Sequence, residues 1–260
     1  MISPQAYVDS NAQIGKNVTI YPFAYIDKDV VIGDDCVIMP YVSVMAGTRM
    51  GRGNRVFQNT VLGAEPQDFN YKGDDTTLII GDDNIIRENT VINRATYTTG
   101  ETRIGNRNSI LEGVHISHDT KIADDCVFGY GSKIAGDCVI ESHVIFSSQV
   151  IQNPKTRVGQ WAMVQAGRRF SKDVPPYIVA VGSQITYGGV NAAILCNNGF
   201  GEKDNIKHIA TAYRLIYHGE TSIFDTLIRI REQVPMSEHI EYLLQFIQKS
   251  EESKVSIIGK

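Results

Sequence analysis

The feature that most restricts this chain is a period of six. Aliphatic residues recur at every sixth position from Ile2 through Val8, Ile14, Ile20, Ile26, Ile32, Ile38, Val44, Met50 and Val56 to Leu62. The rhythm resumes at Ile80, Ile86 and Ile92. It then runs from Ile104 through Ile116, Phe128, Ile140 and Val158 to Phe170, with Gln152 as the one polar member. Four residues after each aliphatic comes a small or short side chain, such as Ala6, Ala24, Cys36 or Val42. An amphipathic helix repeats about every 3.6 residues and a half-buried strand every two, so a period of six fits neither. It fits a coil that turns a corner every six residues and closes a turn in 18. The aliphatic and small residues of each hexad point inward. Turns stacked at strand spacing, about 4.8 Å, bury together what one hexad cannot bury alone.

Glycine marks a second interval. Gly15, Gly33 and Gly51 lie 18 apart, which predicts one corner that favours a special turn. The next such glycines, Gly81 and Gly105, follow at 30 and 24. These longer intervals predict two excursions from the coil, near 63–78 and 97–102, and insertions in repeat proteins often carry function. Cys36, Cys126 and Cys138 fall at inward small positions, which reads as packing. With Cys196 they form no CxxC pair, so neither a zinc nor a redox motif is expected.

The repeat ends near Asp173-Val174-Pro175-Pro176, dividing the chain into a coil over 1–174 and a linker with a helical domain over 175–260. Ile206, Ile209, Ala210, Tyr213, Ile216 and Tyr217 suit one amphipathic helix stopped by Gly219. Ser222 caps a second with Ile223, Leu227 and Ile230. Pro235-Met236-Ser237 opens a third with Ile240, Leu243, Leu244 and Ile247. The tail from Ser250 reads as frayed. Such a domain would blunt the open end of the coil. A net charge of −4 and a pI of about 5.9 do not favour nucleic acid as a partner. The start lacks a basic region followed by an apolar run. No stretch approaches the roughly 18 apolar residues of a membrane span. The expected location is the cytoplasm.

Chemistry is sought first at the histidines. His115 and His118 flank the inward Ile116, so both can face out. With 18 residues per turn, His118, Gly136 and Pro154 stack in one line, and Asp119 and Asp137 in the next. An imidazole beside a small glycine makes a reaction niche. The ring can take a proton from a hydroxyl near neutral pH, the Gly136 N–H can stabilise an oxyanion, and Asp119 can orient the ring. A catalytic zinc needs three ligands. The third histidine, His143, falls on another side of the prism, so a metal is not expected. Lys155, Arg157, Arg168, Arg169 and Lys172 concentrate positive charge in an otherwise acidic chain. That cluster is either a solvated face or a docking surface for an acidic partner such as acyl carrier protein.

Several local motifs then coincide in order along nearly the whole chain. They are Gly63-Ala64-Glu65-Pro66-Gln67-Asp68 with Tyr71 and Gly73, Ile86-Arg87-Glu88 with Ile92 and Arg94, and His115-Ile116-Ser117-His118-Asp119. Ala135-Gly136, Asp173-Val174-Pro175-Pro176-Tyr177, Gly189-Val190-Asn191 and Ala212-Tyr213-Arg214-Leu215-Ile216-Tyr217 complete the set. Together they resemble the UDP-N-acetylglucosamine O-acyltransferases, the first enzymes of lipid A synthesis. The resemblance implies a left-handed coil, a homotrimer with active sites between subunits, and no cofactor. It implies transfer of a 3-hydroxyacyl chain from acyl carrier protein to the sugar's 3-hydroxyl. In that frame His118 matches the base, Asp119 its neighbour and Gly136 the oxyanion contributor. Gln67, Asp68, His115 and Asn191 match residues that hold donor or acceptor. Met163 and Ala166 match the acyl-chain ruler, and the small Ala166 implies a long chain. Arg168, Arg169 and Lys172 become the carrier-docking candidates. The chain departs from the family pattern at substrate-binding positions. Asn70 stands in place of a lysine, Asp137 of a histidine, Pro154 of a glutamine, Asn197 and Asn198 of paired arginines, and Ala193 of a glutamate. Two other readings compete: a related transferase for a different sugar nucleotide, and a noncatalytic β-helix binding protein.

Overall fold

Each hexad supplies a two-residue strand and a tight corner. Tyr7–Val8, Gln13–Ile14 and Thr19–Ile20 lie on three successive sides, and Tyr25–Ile26 returns to pair in parallel with the first, Tyr7 opposite Tyr25. The computed structural model describes residues 1–200, 204–219 and 221–259. Repetition builds a left-handed parallel β-helix with three faces. Among the described residues face 1 has nine strands, ending at Arg169–Phe170, face 2 has eight, ending at Arg157–Val158, and face 3 has ten. The inward aliphatics from Ile20 to Val164 are almost wholly buried, each contributing about 1.5–3 kcal/mol. Edge-to-face contacts of Phe128 with Phe146 and of Phe146 with Phe170 fill the lower core.

The glycine column has a different cause from the one expected. Gly33 is not left-handed. A Cβ there would sit 2.6 Å from the carbonyl carbon of Gly51 in the next turn, so glycine is needed because stacked backbones approach closely. The left-handed residues of this corner stand two places later, at Asn17, Asp35, Gly53, Asp83, Arg107 and Asp125.

The chain leaves the coil over 65–76 and 94–100. Pairing resumes with Leu62 opposite Ile92 and Ile80 opposite Ile104. Across these irregular turns runs a buried amide ladder. The Asn54 side-chain oxygen accepts from the N–H and amide of Asn84, and that of Asn84 accepts from the N–H and amide of Asn108. The Asn108 oxygen in turn accepts from the Cys126 N–H.

Beyond residue 174 the coil does not give way at once to a linker. Ile178–Val181 pairs in parallel with Met163–Val164 on face 3, and Thr186–Val190 returns antiparallel to it. A run of only four residues after two prolines carries too little period to announce that strand. Among the described residues four helices follow: α1 (Ala192–Asn197), α2 (Asn205–His218), α3 (Ile223–Gln233) and α4 (Glu238–Glu252). The Ser222 and Ser237 hydroxyls cap α3 and α4, as Ser/Thr N-caps do. In α2 it is Ala212 that is buried, and Ala210 faces out. The expected frayed tail is anchored. Ser250 is fully buried and its hydroxyl donates to Asp173 at 2.6 Å, while Ile257 and Gly259 form bridges with Asp173 and Thr186. A buried carboxylate needs donors, and the tail provides them. Arg157 also leaves the basic cluster, pairing with Glu141 and lying 4.3 Å over the Phe246 ring of α4.

Candidate active site

His118 lies at the corner between face 1 (His115–Ile116) and face 2 (Lys121–Ile122). Its Nδ1 is 2.9 Å from Asp119 Oδ2. An ionised carboxylate only accepts, so Nδ1 carries a proton, and in the neutral ring this leaves the lone pair on Nε2. The ring lies flat against Gly136, where a Cβ would be 2.5 Å from Cε1 and 2.7 Å from Nε2. The side chains of His118 and Asp119 are each 13% exposed. The neighbouring corner shows how this one differs. There the N–H of Lys16, Arg52 and Asn106 each meets an Asp side chain one turn on. Below Gly136 stands Pro154, which has no such acceptor. Among the described residues, nothing takes the Gly136 N–H.

Asp119 is held from the second excursion. Its Oδ2 accepts from the Thr96 N–H at 3.0 Å, and its own N–H donates to Thr102 Oγ1 at 2.9 Å. The first excursion brings Asp68 to 3.9 Å from His118 Nε2. Asn70 donates its N–H and side-chain amide to Asp68 Oδ1, and the Thr96 hydroxyl donates to Oδ2 at 3.3 Å. The Asn70 N–H above all holds the Asp68 carboxyl below its ordinary range, with smaller help from His118 and Thr96. Arg94 ties down this loop, donating to the Gly63 carbonyl and, at 2.7 Å, to the Tyr71 hydroxyl. His115 lies beside His118 on face 1. Burial first, then Lys133 and His118, push its pKa down.

One chain therefore assembles His118, Asp119, Gly136, Asp68 and His115, with Gln67, Asn70 and Asp137 at the exposed edge. It does not bring the remaining candidates to them. Met163 lies on face 3, and Ala166 at the corner between faces 3 and 1. Asn191 is 5% exposed and gives its amide to the Trp161 carbonyl. Asn197 ends α1, and Asn198 donates to the Ile194 carbonyl. Arg169 and Lys172 line a cleft of about 480 Å³ with Ser171, Gln184 and Thr186, and Arg168 bonds Gln165. His143 stacks on Trp161 at another corner. Sequence reasoning missed Thr96 and Thr102, which lie in or beside an excursion where no period applies.

Comparisons with known proteins bear on the whole chain. A family model described as "Udp N-acetylglucosamine O-acyltransferase; Domain 2" matches residues 173–257, and one for the bacterial transferase hexapeptide (six repeats) matches residues 101–136. An acyl-[acyl-carrier-protein]–UDP-N-acetylglucosamine O-acyltransferase from Halorhodospira halophila is 36% identical over 96% of this chain and 97% of its own. The chain belongs to the UDP-N-acetylglucosamine O-acyltransferase family. A solved acyltransferase of that name from Bacteroides fragilis is 45% identical, with a TM-score of 0.96 over 99% of this chain and 100% of that one. One from Arabidopsis is 28% identical, with a TM-score of 0.86 and full coverage of both. Membership in the O-acyltransferase family makes the chain an enzyme of acyl transfer. Among the described residues no helix is long and apolar enough to cross a membrane.

Proposed function

We propose that this enzyme moves a 3-hydroxyacyl chain from acyl carrier protein to the 3-hydroxyl of UDP-N-acetylglucosamine in the cytoplasm, with His118 as general base. The observation that carries the proposal is the His118–Asp119 pair, with the imidazole packed against Gly136, whose N–H has no partner among the described residues. Asp119 fixes the tautomer, and Nε2 removes the proton of the sugar hydroxyl as its oxygen attacks the thioester carbonyl. The oxyanion that forms is stabilised by the Gly136 N–H. Collapse expels the carrier's thiolate, which takes the proton back from the imidazolium. His115, kept neutral by burial, and Asp68 supply polar contacts for the substrates, with Gln67 and Asn70 at the rim.

The acyl-chain candidates lie on or beside face 3 and the nucleotide candidates at helix α1, so the reading includes a homotrimer in which a second copy supplies Met163, Ala166, Asn191, Asn197 and Asn198. The cleft of Arg169 and Lys172 is the proposed docking point for the acidic carrier. The test is mass spectrometry of products from UDP-N-acetylglucosamine and a panel of 3-hydroxyacyl carrier-protein donors, using wild type and His118→Ala. A singly acylated sugar nucleotide that disappears in the variant supports the reading. Product formed equally by both removes His118 as the base.

A further inference from the structure

The second excursion reaches both carboxylates beside His118 through one residue, Thr96, which is completely buried. Its backbone N–H donates to Asp119 Oδ2 and its hydroxyl donates to Asp68 Oδ2, at 3.0 and 3.3 Å. These carboxylates flank the same imidazole, Asp119 at Nδ1 and Asp68 facing Nε2. We propose that Thr96 is a positioning residue that holds both carboxylates on opposite nitrogens of His118, so that the base is oriented from the second excursion and reached by substrate from the first. The inference rests on the reading of His118 as the base.

The physical argument is one of geometry and charge. Two anionic oxygens at one partly buried site repel each other, and each turns away unless a donor fixes it. Thr96 provides one donor to each from a single residue, so their separation is set by its covalent frame. Asp68 sits on a loop with no sheet partner and needs that tether most. Among the described residues its other oxygen is held only by Asn70 within the same loop, which shapes the loop and does not fix it to the coil. The Thr96 hydroxyl is the bond that ties the Asp68 side chain to the base. Gly100 adds to the fit, since a Cβ there would be 2.8 Å from Asp119 Oδ1, so the second excursion wraps Asp119 closely.

The substitution that isolates the hydroxyl is Thr96→Val, which keeps shape and N–H. Thr96→Ser keeps the hydroxyl. The primary readout is the titration of His118 by imidazole nitrogen NMR, with the resonance assigned through His118→Ala. Without the tether Asp68 turns away and the imidazolium loses an anionic neighbour, so the His118 midpoint falls in Thr96→Val and recovers in Thr96→Ser. Under the acyl-transfer reading, kcat/KM for the sugar nucleotide falls about tenfold in the valine variant, the scale of one hydrogen bond to a charged group. The acid limb of the pH profile moves with the midpoint. If valine unfolds the site, Thr96→Ala removes the same hydroxyl without adding bulk. An unchanged His118 midpoint in a folded hydroxyl-free variant overturns the proposal. A wild type that transfers no acyl group refutes the functional reading instead and leaves the titration to decide on Thr96.

Discussion

Gly136→Ala separates chemistry from folding. Position 136 is not in the left-handed region, so alanine adds no torsional strain there. What it adds is one methyl group, 2.5 Å from His118 Cε1, 2.7 Å from Nε2 and 3.0 Å from Nδ1. Carbon atoms rest at about 3.5–4.0 Å, so the ring must retreat by about 1 Å. That movement breaks the 2.9 Å bond to Asp119 and carries Nε2 off its line to the acceptor hydroxyl. A displacement of this size costs about 100-fold in rate. We expect kcat/KM to fall by about that factor while the melting temperature stays near wild type. Pairing Gly136→Ala with His118→Ala should cost little beyond His118→Ala alone, because both remove the same function. The assay is initial-rate product formation by mass spectrometry, with thermal unfolding run in parallel. A wild-type rate would refute the reasoning, since it would mean the ring does not lie where its base role requires. A fall in melting temperature matching the loss of rate would also refute it.

Ser250→Ala should lower stability by about 1–3 kcal/mol, the cost of leaving a buried acceptor short of a donor, with transfer activity kept; denaturant titration reads it. His115 has a folded pKa depressed below 6.5, so below that value the unfolded chain binds more protons than the folded one. Its contribution to stability is complete above pH 6.5 and is lost as pH falls toward the folded value; melting temperatures at pH 7 and 5 should converge in His115→Asn. Arg169→Glu with Lys172→Glu should raise KM for the carrier protein, with a smaller salt dependence than wild type; an unchanged KM removes the docking role. The small Ala166 predicts better turnover of long than short 3-hydroxyacyl donors, and Ala166→Met should reverse that order in a donor panel.

The coil was legible because stacking imposes one rule on every turn. A residue such as Ile116 must face inward like Ile134 and Gln152 below it, so a count of six is also a count of faces. The same arithmetic put His118 over Gly136. It failed where stacking stops. The Asp68–Thr96–Asp119 contact joins two excursions of unlike length, and nothing in their spacing states how they fold back. Ser250 read as part of a frayed tail because its partner, Asp173, is 77 residues away. The glycine column was visible, but its cause was not, since close approach and a left-handed turn both call for glycine. Of the resemblance-based candidates, those on face 3 and α1 lie apart from His118 in one chain, a separation that matching motifs in order along the sequence does not reveal.

The amide ladder of Asn54, Asn84 and Asn108 has a consequence for how such a chain can change. Its rungs span intervals of 30 and 24 residues, the same turns from which the two excursions emerge. Elsewhere the next aliphatic follows at a fixed distance and register needs no further device. Here the contour between turns is variable, and a misplaced turn would leave a buried amide unpaired in the core. The ladder thus uncouples the length of the outer loops from the pitch of the prism. Loops at 65–76 and 94–100 can be exchanged, lengthened or rewritten for a new acceptor while the scaffold beneath keeps its alignment.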